Sequence, residues 1–180
     1  MNEQLDVAAK LLECLKNVNT HLVVEGAPGK ETHSARSREW IVALGKELET
    51  RFDGDCYSRR CRGEFLFDIV VTGPTGDTRQ EGPVFFGRRL WAVESEFSNR
   101  RNQVDRDLAK LTWAAADNRL MVVSDSEEMK KHLDDRANRI RLEHGTLFAA
   151  RFPHPRDWAK GRTGQLLRFE NRGWKCVGVF

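Results

Sequence analysis

The chain has 180 residues, of which 39% are hydrophobic and 32% are charged, and its formal net charge is +3 at pH 7. This composition argues against a disordered chain, and the length is enough for one domain with a sizeable core. No apolar run approaches the roughly 20 residues of a membrane-spanning helix, and the first residues lack the basic and apolar segments of a signal peptide. We therefore expect a single domain over residues 1–180, cytoplasmic and without a membrane partner.

Cysteine spacing and charge distribution narrow the function classes further. Cys14, Cys56, Cys61 and Cys176 form no C-x-x-C pair, which argues against a structural zinc site and favours reduced, mostly buried thiols. Residues 151–180 carry seven Lys or Arg and only two Asp or Glu. Such a segment could contact phosphates or form an ordinary solvated surface, and the sequence leaves both readings open.

The first half of the chain is predicted to form two helices and four strands. Both helices have apolar residues at helical spacing, and in the second these are Trp40, Ile41, Leu44 and Leu48. A Gly- and Pro-containing turn at 73–77 separates the last two strands. In chain order, the elements are a helix at 3–17, a strand at 22–24, a helix at 34–51 and strands at 56–61, 64–72 and 84–97.

The second half alternates helices and strands and ends in a hairpin. A serine N-cap and first-turn acids mark the start of one helix within residues 124–128. The predicted elements are a helix at 102–116 with Val104, Leu108, Leu111 and Ala115 inward, a buried strand at 120–123, a helix reaching about 144, a strand at 147–152, and a hairpin of 166–169 with 175–180 around 171–173.

This order of elements predicts an α/β fold. The helix at 102–116 lies between two strands, so it should be a right-handed crossover that makes them parallel. We expect a mixed central sheet with helices on its faces, built around a helix–three strands–helix–strand core at about 34–124. The N-terminal helix and the C-terminal helix and hairpin would be additions to this core.

Two glutamates stand two residues apart in the apolar run at 92–97. Strand side chains alternate, so Glu94 and Glu96 should point to the same face, where two like charges are costly unless a cation or several donors compensate them. Asp68 lies in a similar run at 65–71 and could converge with them from a neighbouring strand. Such oxygens suit Mg²⁺, with Asp68 and Glu94 as ligands and Glu96 as a further ligand or as the base that takes a proton from water.

These residues resemble a known family. A strand aspartate followed by a strand Glu-x-Glu, in this frame of elements, resembles the PD-(D/E)xK nuclease superfamily, which has a restriction-endonuclease-like fold. Glu94-Ser95-Glu96, followed by Asp107 and Lys110 on the next helix, is similar to a run in uncharacterised prokaryotic members. The resemblance implies a hydrolase that cuts nucleic acid phosphodiester bonds, with DNA as the expected partner, and that depends on Mg²⁺, which Mn²⁺ can replace.

The resemblance also implies roles for residues outside the two strands. The family lysine normally stands where Glu96 does, and some members move it to the following helix, where Lys110 would stabilise the developing charge or position the water. A glutamate on the first core helix often supports the metal, and Glu39 is the best match, with Glu47 as the fallback. Phe67 stands where the family has proline, and some members have lost catalysis.

Several residues have a structural alternative. Glu94 and Glu96 could be surface acids of an edge strand, paired with Arg88, Arg89 or Arg100, and Asp68 could be a buried acid satisfied by backbone donors. Glu39 and Lys110 could lie on solvated helix surfaces, and Arg100 and Arg101 could contact DNA phosphates or merely solvate a loop. Asp105 and Asp107 read as first-turn helix acids. We expect Trp91 and Trp113 in the core rather than as platforms for base stacking.

Together these features predict a Mg²⁺-dependent nuclease with Asp68, Glu94, Glu96 and Lys110 as catalytic residues and Glu39 as a supporting ligand. The alternative is a catalytically inactive module of the same fold that binds nucleic acid or a protein partner. A subunit of a larger assembly is a third possibility. A homodimer would suit an enzyme that cuts two strands, by analogy alone.

Overall fold

The structure is a computed structural model that describes residues 3–20, 33–58, 66–73, 88–160 and 163–180. None of the helices in these ranges is long and apolar enough to span a bilayer. The elements are α1 (Glu3–Asn19), α2 (His33–Phe52), β1 (Asp55–Ser58), β2 (Ile69–Thr72), β3 (Arg89–Glu96), α3 (Arg101–Trp113), β4 (Asn118–Ser124), α4 (Glu127–Ala137), β5 (Thr146–Phe152), a 3₁₀ helix (Pro155–Lys160), β6 (Gln165–Glu170) and β7 (Gly173–Val179).

The described strands form one seven-stranded sheet whose spatial order, β1 to β7, is also their order along the chain. β3, β4 and β5 run parallel, whereas the other neighbouring pairs are antiparallel. The two parallel connections contain α3 and α4, since neighbouring parallel strands require a crossover segment between them. The prediction of an α/β fold with a mixed sheet and a parallel crossover is confirmed.

Helices cover both faces of the sheet. One buried cluster joins α1 and α2 to side chains such as Trp91 and Val93, and the other joins α3 and α4 to Ala92 and Met121. Because both faces of the central strands are covered, β4 is buried along almost its whole length, which explains its apolar sequence. Glu94 follows Ala92 by two residues and therefore points toward α3.

Local signals for two predicted elements are confirmed in detail. Ser126 is the N-cap of α4, and its hydroxyl accepts a hydrogen bond from the Met129 amide at 3.1 Å. The hairpin of β6 and β7 turns at Asn171 and Arg172, which both have positive φ, as a tight hairpin turn requires. The predicted helices at 3–17 and 34–51 correspond to α1 and α2.

Two helices end earlier than predicted. α3 stops at Trp113 rather than at about 116, and Ala115 is exposed instead of inward. The guanidinium of Arg119 donates to the Ala114 carbonyl at 2.6 and 3.1 Å, which fixes the chain in an extended conformation there. α4 stops at Ala137 rather than at about 144, because the following turn tightens to i→i+3 bonds and places Ile140 in the core.

The strand predicted at 64–72 is also shorter than expected. β2 begins only at Ile69, since Leu66 has a φ of +58° and turns the chain. Asp68 therefore lies immediately before β2 rather than within it. The predicted strand at 22–24, the turn after Gly73, and parts of the strands at 56–61 and 84–97 lie outside the described residues.

Candidate functional site

Glu94 is a buried carboxylate in the interior of the sheet. It lies on β3, between β2 and β4, and is only 3% exposed. Arg88 pairs with Asp117 at 2.7 Å, and the Nε of Arg89 donates to the Ala115 carbonyl at 2.9 Å. The alternative of an edge-strand surface acid is therefore wrong for Glu94, and its charge needs a compensating group inside the protein.

Lys110 on α3 supplies that positive charge. Its Nζ lies 2.5 Å from Oε1 of Glu94 and 3.1 Å from Oδ1 of Asp107. The Lys110 side chain is 47% exposed, whereas the side chain of Glu94 is 5% exposed. Lys110 therefore lies at the protein surface and forms an ion pair with an acid that is buried. The structure thus brings Glu94 together with Lys110, the lysine that the resemblance to the superfamily implies.

Asp68 is held beside Glu94 by the backbone and side chain of Ser95. Its Oδ2 accepts hydrogen bonds from the Ser95 amide at 2.8 Å and from the Ser95 hydroxyl at 2.6 Å. The alternative of backbone satisfaction for Asp68 therefore applies in part. These two donors fix the orientation of the carboxylate next to the strand that carries Glu94, and the two acids repel each other.

Burial dominates the electrostatics of Glu94. Desolvation raises the pKa of its carboxyl from 4.5 to about 7, the Lys110 hydrogen bond opposes this rise, and the charges of Asp68 and Asp107 add to it. For Lys110, burial lowers the pKa, but the hydrogen bonds and charges of Glu94 and Asp107 outweigh burial and raise it overall. Glu94 therefore titrates near neutral pH, and positive charge close to it favours its ionised form.

Glu96 and Glu39 stand apart from this contact. Glu96 is half-buried, and its Oε1 accepts a hydrogen bond from the Ser98 amide at 2.7 Å, so that oxygen is turned toward its own chain. Glu39 is half-buried on α2, which packs against the opposite face of the sheet. Glu47 accepts a hydrogen bond from Asn17 of α1 at 3.0 Å. Among the residues described, no three or more His, Cys, Asp or Glu side chains form a group that could hold a metal.

The two arginines proposed to bind nucleic acid lie at the start of α3. Arg100 occupies the N-cap position and Arg101 the first turn, and both are exposed. The Arg101 guanidinium pairs with Glu128 of α4 at 3.1 Å, with both side chains about half exposed. A surface pair of this kind is weak enough to open for a phosphate.

Asp68 and Glu94 offer carboxylate oxygens, the ligand type that Mg²⁺ prefers. Mg²⁺ is commonly held by one or two protein carboxylates and completes its shell with water and substrate oxygens. Because Glu94 is desolvated and the charge of Asp68 acts on it, a cation near both carboxylates would relieve burial and repulsion together. A divalent ion would compete with the Lys110 ammonium for Glu94, and the exposed lysine can move into solvent.

Asp105 and Asp107 lie within α3 rather than in its first turn, so that expectation is wrong for both. Asp107 forms part of the Lys110 contact, and the i,i+3 spacing of these residues was the available signal. Asp105 accepts hydrogen bonds from Arg136 at 2.8 Å and contacts His132 at 2.9 Å, which fastens α3 to α4.

The two tryptophans expected in the core behave differently. Trp91 is fully buried and packs against Phe148, as expected. Trp113 is 89% exposed, so the expectation is wrong for this residue. The apolar stripe of α3 contains Val104, Leu108 and Leu111, and Trp113 falls outside it, which the helical spacing could have indicated.

Comparisons of the chain with protein-family models, with curated proteins and with solved structures find no match.

Proposed function

We propose that this protein is a Mg²⁺-dependent nuclease of the PD-(D/E)xK type that hydrolyses phosphodiester bonds of nucleic acid, with DNA as the expected substrate. The main support is the contact of Lys110 with the buried Glu94, next to Asp68. The order α2–β1–β2–β3–α3–β4 also matches the helix–three strands–helix–strand frame of a restriction-endonuclease-like core. Proteins of other functions share this order of elements, so the proposal depends mainly on the site.

In this proposal Asp68 and Glu94 hold the metal, and Ser95 orients Asp68 through two hydrogen bonds. Bound Mg²⁺ would lower the pKa of water and stabilise charge on the phosphoryl group. Lys110 reaches the surface and could donate from Nζ to a phosphate oxygen when the metal takes over its contact with Glu94. Glu96 would accept the proton of the attacking water.

Cleavage assays on carboxylate variants test the proposal. Asp68→Ala and Glu94→Ala should abolish cleavage of DNA in Mg²⁺ or Mn²⁺ without unfolding the protein, because each removes a metal ligand. Lys110→Ala should lower the rate about a hundredfold while metal binding persists. Glu13→Gln is the control, since this residue lies on α1 and its side chain is 57% exposed. Wild-type rates in both ligand variants would refute the site.

A non-catalytic module of the same fold is the second candidate. It is favoured by the 2.5 Å contact of Lys110 with Glu94, because the ammonium neutralises the carboxylate that the metal would need. The hydrogen bond that Glu96 Oε1 accepts from the Ser98 amide points the same way. Calorimetry at pH 8 separates the two: binding of Mn²⁺ that is lost in Glu94→Gln supports the nuclease, whereas DNA binding without any Mn²⁺ binding supports the module.

A further inference from the structure

Trp113 is an aromatic side chain that the fold does not bury. It is 89% exposed at the end of α3, whereas Trp40 and Trp91 are fully buried and Trp158 is 2% exposed. A buried tryptophan contributes a large apolar area to stability, and Trp113 contributes almost none of it. The residue type at this position is therefore better explained by a ligand than by packing within the chain.

Two cationic side chains share its surface. Arg106, Lys110 and Trp113 stand at i, i+4 and i+7 on α3, all are exposed, and this spacing places them in one stripe. Lys110 is the residue that contacts Glu94. The stripe of Arg106, Lys110 and Trp113, here called the α3 rim, thus borders the candidate site.

The charge around the α3 rim favours an anionic partner. Asp107 offsets the charge of Lys110 at 3.1 Å and Asp117 pairs with Arg88 at 2.7 Å, so within the described part of the chain Arg106 supplies the rim's uncompensated positive charge. Arg89 adds a further positive charge, fixed by its bond to the Ala115 carbonyl just beyond α3. Among the described residues that flank it, Ala109 and Ala115 are exposed and small, so in this part of the chain Trp113 is a single aromatic ring rather than part of a broad apolar patch.

A single exposed aromatic ring among cations is the arrangement that binds unpaired bases. Each base can stack on the indole face, while lysine and arginine contact the phosphates. We propose that Trp113 is a base-stacking platform for single-stranded nucleic acid and that Arg106 contacts its backbone. This inference rests on the proposed function in one respect: the nucleic acid strand that binds to the α3 rim would be the strand that reaches Glu94 and Lys110.

Binding in EDTA tests the inference without requiring catalysis. The probe is a fluorescein-labelled oligothymidylate of about 20 nucleotides, followed by anisotropy, because stacking on an aromatic side chain is tolerant of base sequence. Trp113→Ala should weaken binding about 5- to 100-fold, and Trp113→Phe should retain affinity within about threefold. Val179→Ala, on β7 and 48% exposed in the wild type, should bind normally. Arg106→Ala should lower the salt dependence of binding by about one phosphate contact.

Unchanged affinity in Trp113→Ala, equal losses in Trp113→Ala and Trp113→Phe, or no binding by the wild type would each overturn the inference. So would a change from dimer to monomer in Trp113→Ala by sedimentation, which would make the α3 rim a contact between two copies of the chain. Cleavage in Mg²⁺ is measured separately. If the protein cleaves DNA but Trp113→Ala binds the oligonucleotide normally, the nuclease proposal holds and the stacking platform is wrong. If Trp113→Ala weakens binding but the wild type does not cleave, the stacking platform holds and the nuclease proposal is wrong.

Discussion

The protonation of Glu94 links the candidate site to the stability of the protein. The pKa of this carboxyl is about 7 in the folded chain, against an ordinary value of 4.5. Between these values the folded protein binds a proton that the unfolded chain has released. The free energy of unfolding contributed by Glu94 therefore decreases as the pH rises from about 4.5 to about 7 and stays low above that.

Replacing Glu94 by glutamine should remove this dependence. The free energy of unfolding of Glu94→Gln, relative to that of the wild type, should be about 1–3 kcal/mol higher at pH 8 than at pH 5, because the variant has no buried charge to form. Urea denaturation at both pH values measures the difference. Glu13→Gln, on the other face of the sheet, should show no comparable pH dependence, and a constant offset for Glu94→Gln would contradict the raised pKa.

The affinity for metal should also depend on the ionisation of Glu94, but it should increase with pH where the stability decreases. A metal ligand has to be ionised, so the Kd for Mn²⁺ should fall up to about tenfold per pH unit between pH 5 and pH 7 and level off above. Calorimetric titrations at several pH values measure this. A Kd that does not change across this range would separate Glu94 from metal binding.

Part of the candidate site could be predicted, since two acids on one strand face need a cation and the resemblance to the nuclease superfamily implied Lys110. The roles of Ser95 and Asp107 could not, because they depend on the exact path of the chain before β2 and on the rotation of α3 over β3. Whether Glu96 and Glu39 join the metal shell stays a prediction.

At the scale of elements, the start of α4 was predictable, whereas the ends of α3 and α4 were not. Ser126 carries a local capping signal in the sequence. The end of α3 instead depends on Arg119, a buried arginine of β4 that hydrogen-bonds the carbonyl of Ala114 and also that of His144. The residue that ends α3 lies several positions further along the chain, so no pattern within the helix predicts where it ends.

The turn that leads into β5 depends on one glycine. Gly145 has a φ of +73°, and a Cβ there would lie 2.4 Å from the Asp117 carbonyl and 2.7 Å from the Arg119 guanidinium. Gly145→Ala should lower the free energy of unfolding by about 1–3 kcal/mol or more, through backbone strain and this contact. Chemical denaturation measures it. Gly173→Ala is the matched control: its Cβ would meet its nearest atom at 3.8 Å, so a loss as large there would contradict the explanation.

At the scale of the whole molecule, the α/β class and the parallel connections followed from the alternation of helices and strands. The contacts between distant segments did not. α1 packs on β7, where a Cβ at Gly178 would lie 2.6 Å from Leu12, and Phe180 stacks on Phe152. The first contact joins the two ends of the sequence, and the second joins β5 to the last residue. Periodicity within each segment carries no information about either contact.

Phe180 provides a test of whether the chain unfolds as one unit. It is 6% exposed, and its backbone forms two hydrogen bonds with Gly164. Phe180→Ala should cost about 3–5 kcal/mol, as for other large-to-small core substitutions. If residues 1–180 are one domain, near-ultraviolet and far-ultraviolet circular dichroism should shift together. Two separate transitions would argue for independent units, and Val179→Ala should change little.

The agreement between spatial order and chain order in the sheet has a consequence for synthesis of the protein. Every described strand pairs with its neighbour in sequence, so no strand has to insert between two that are already joined. During translation, the edge that each new strand needs has already left the ribosome, and the sheet can grow from β1 toward β7. The two parallel crossovers require the longest loops to close, so their formation should set the folding rate.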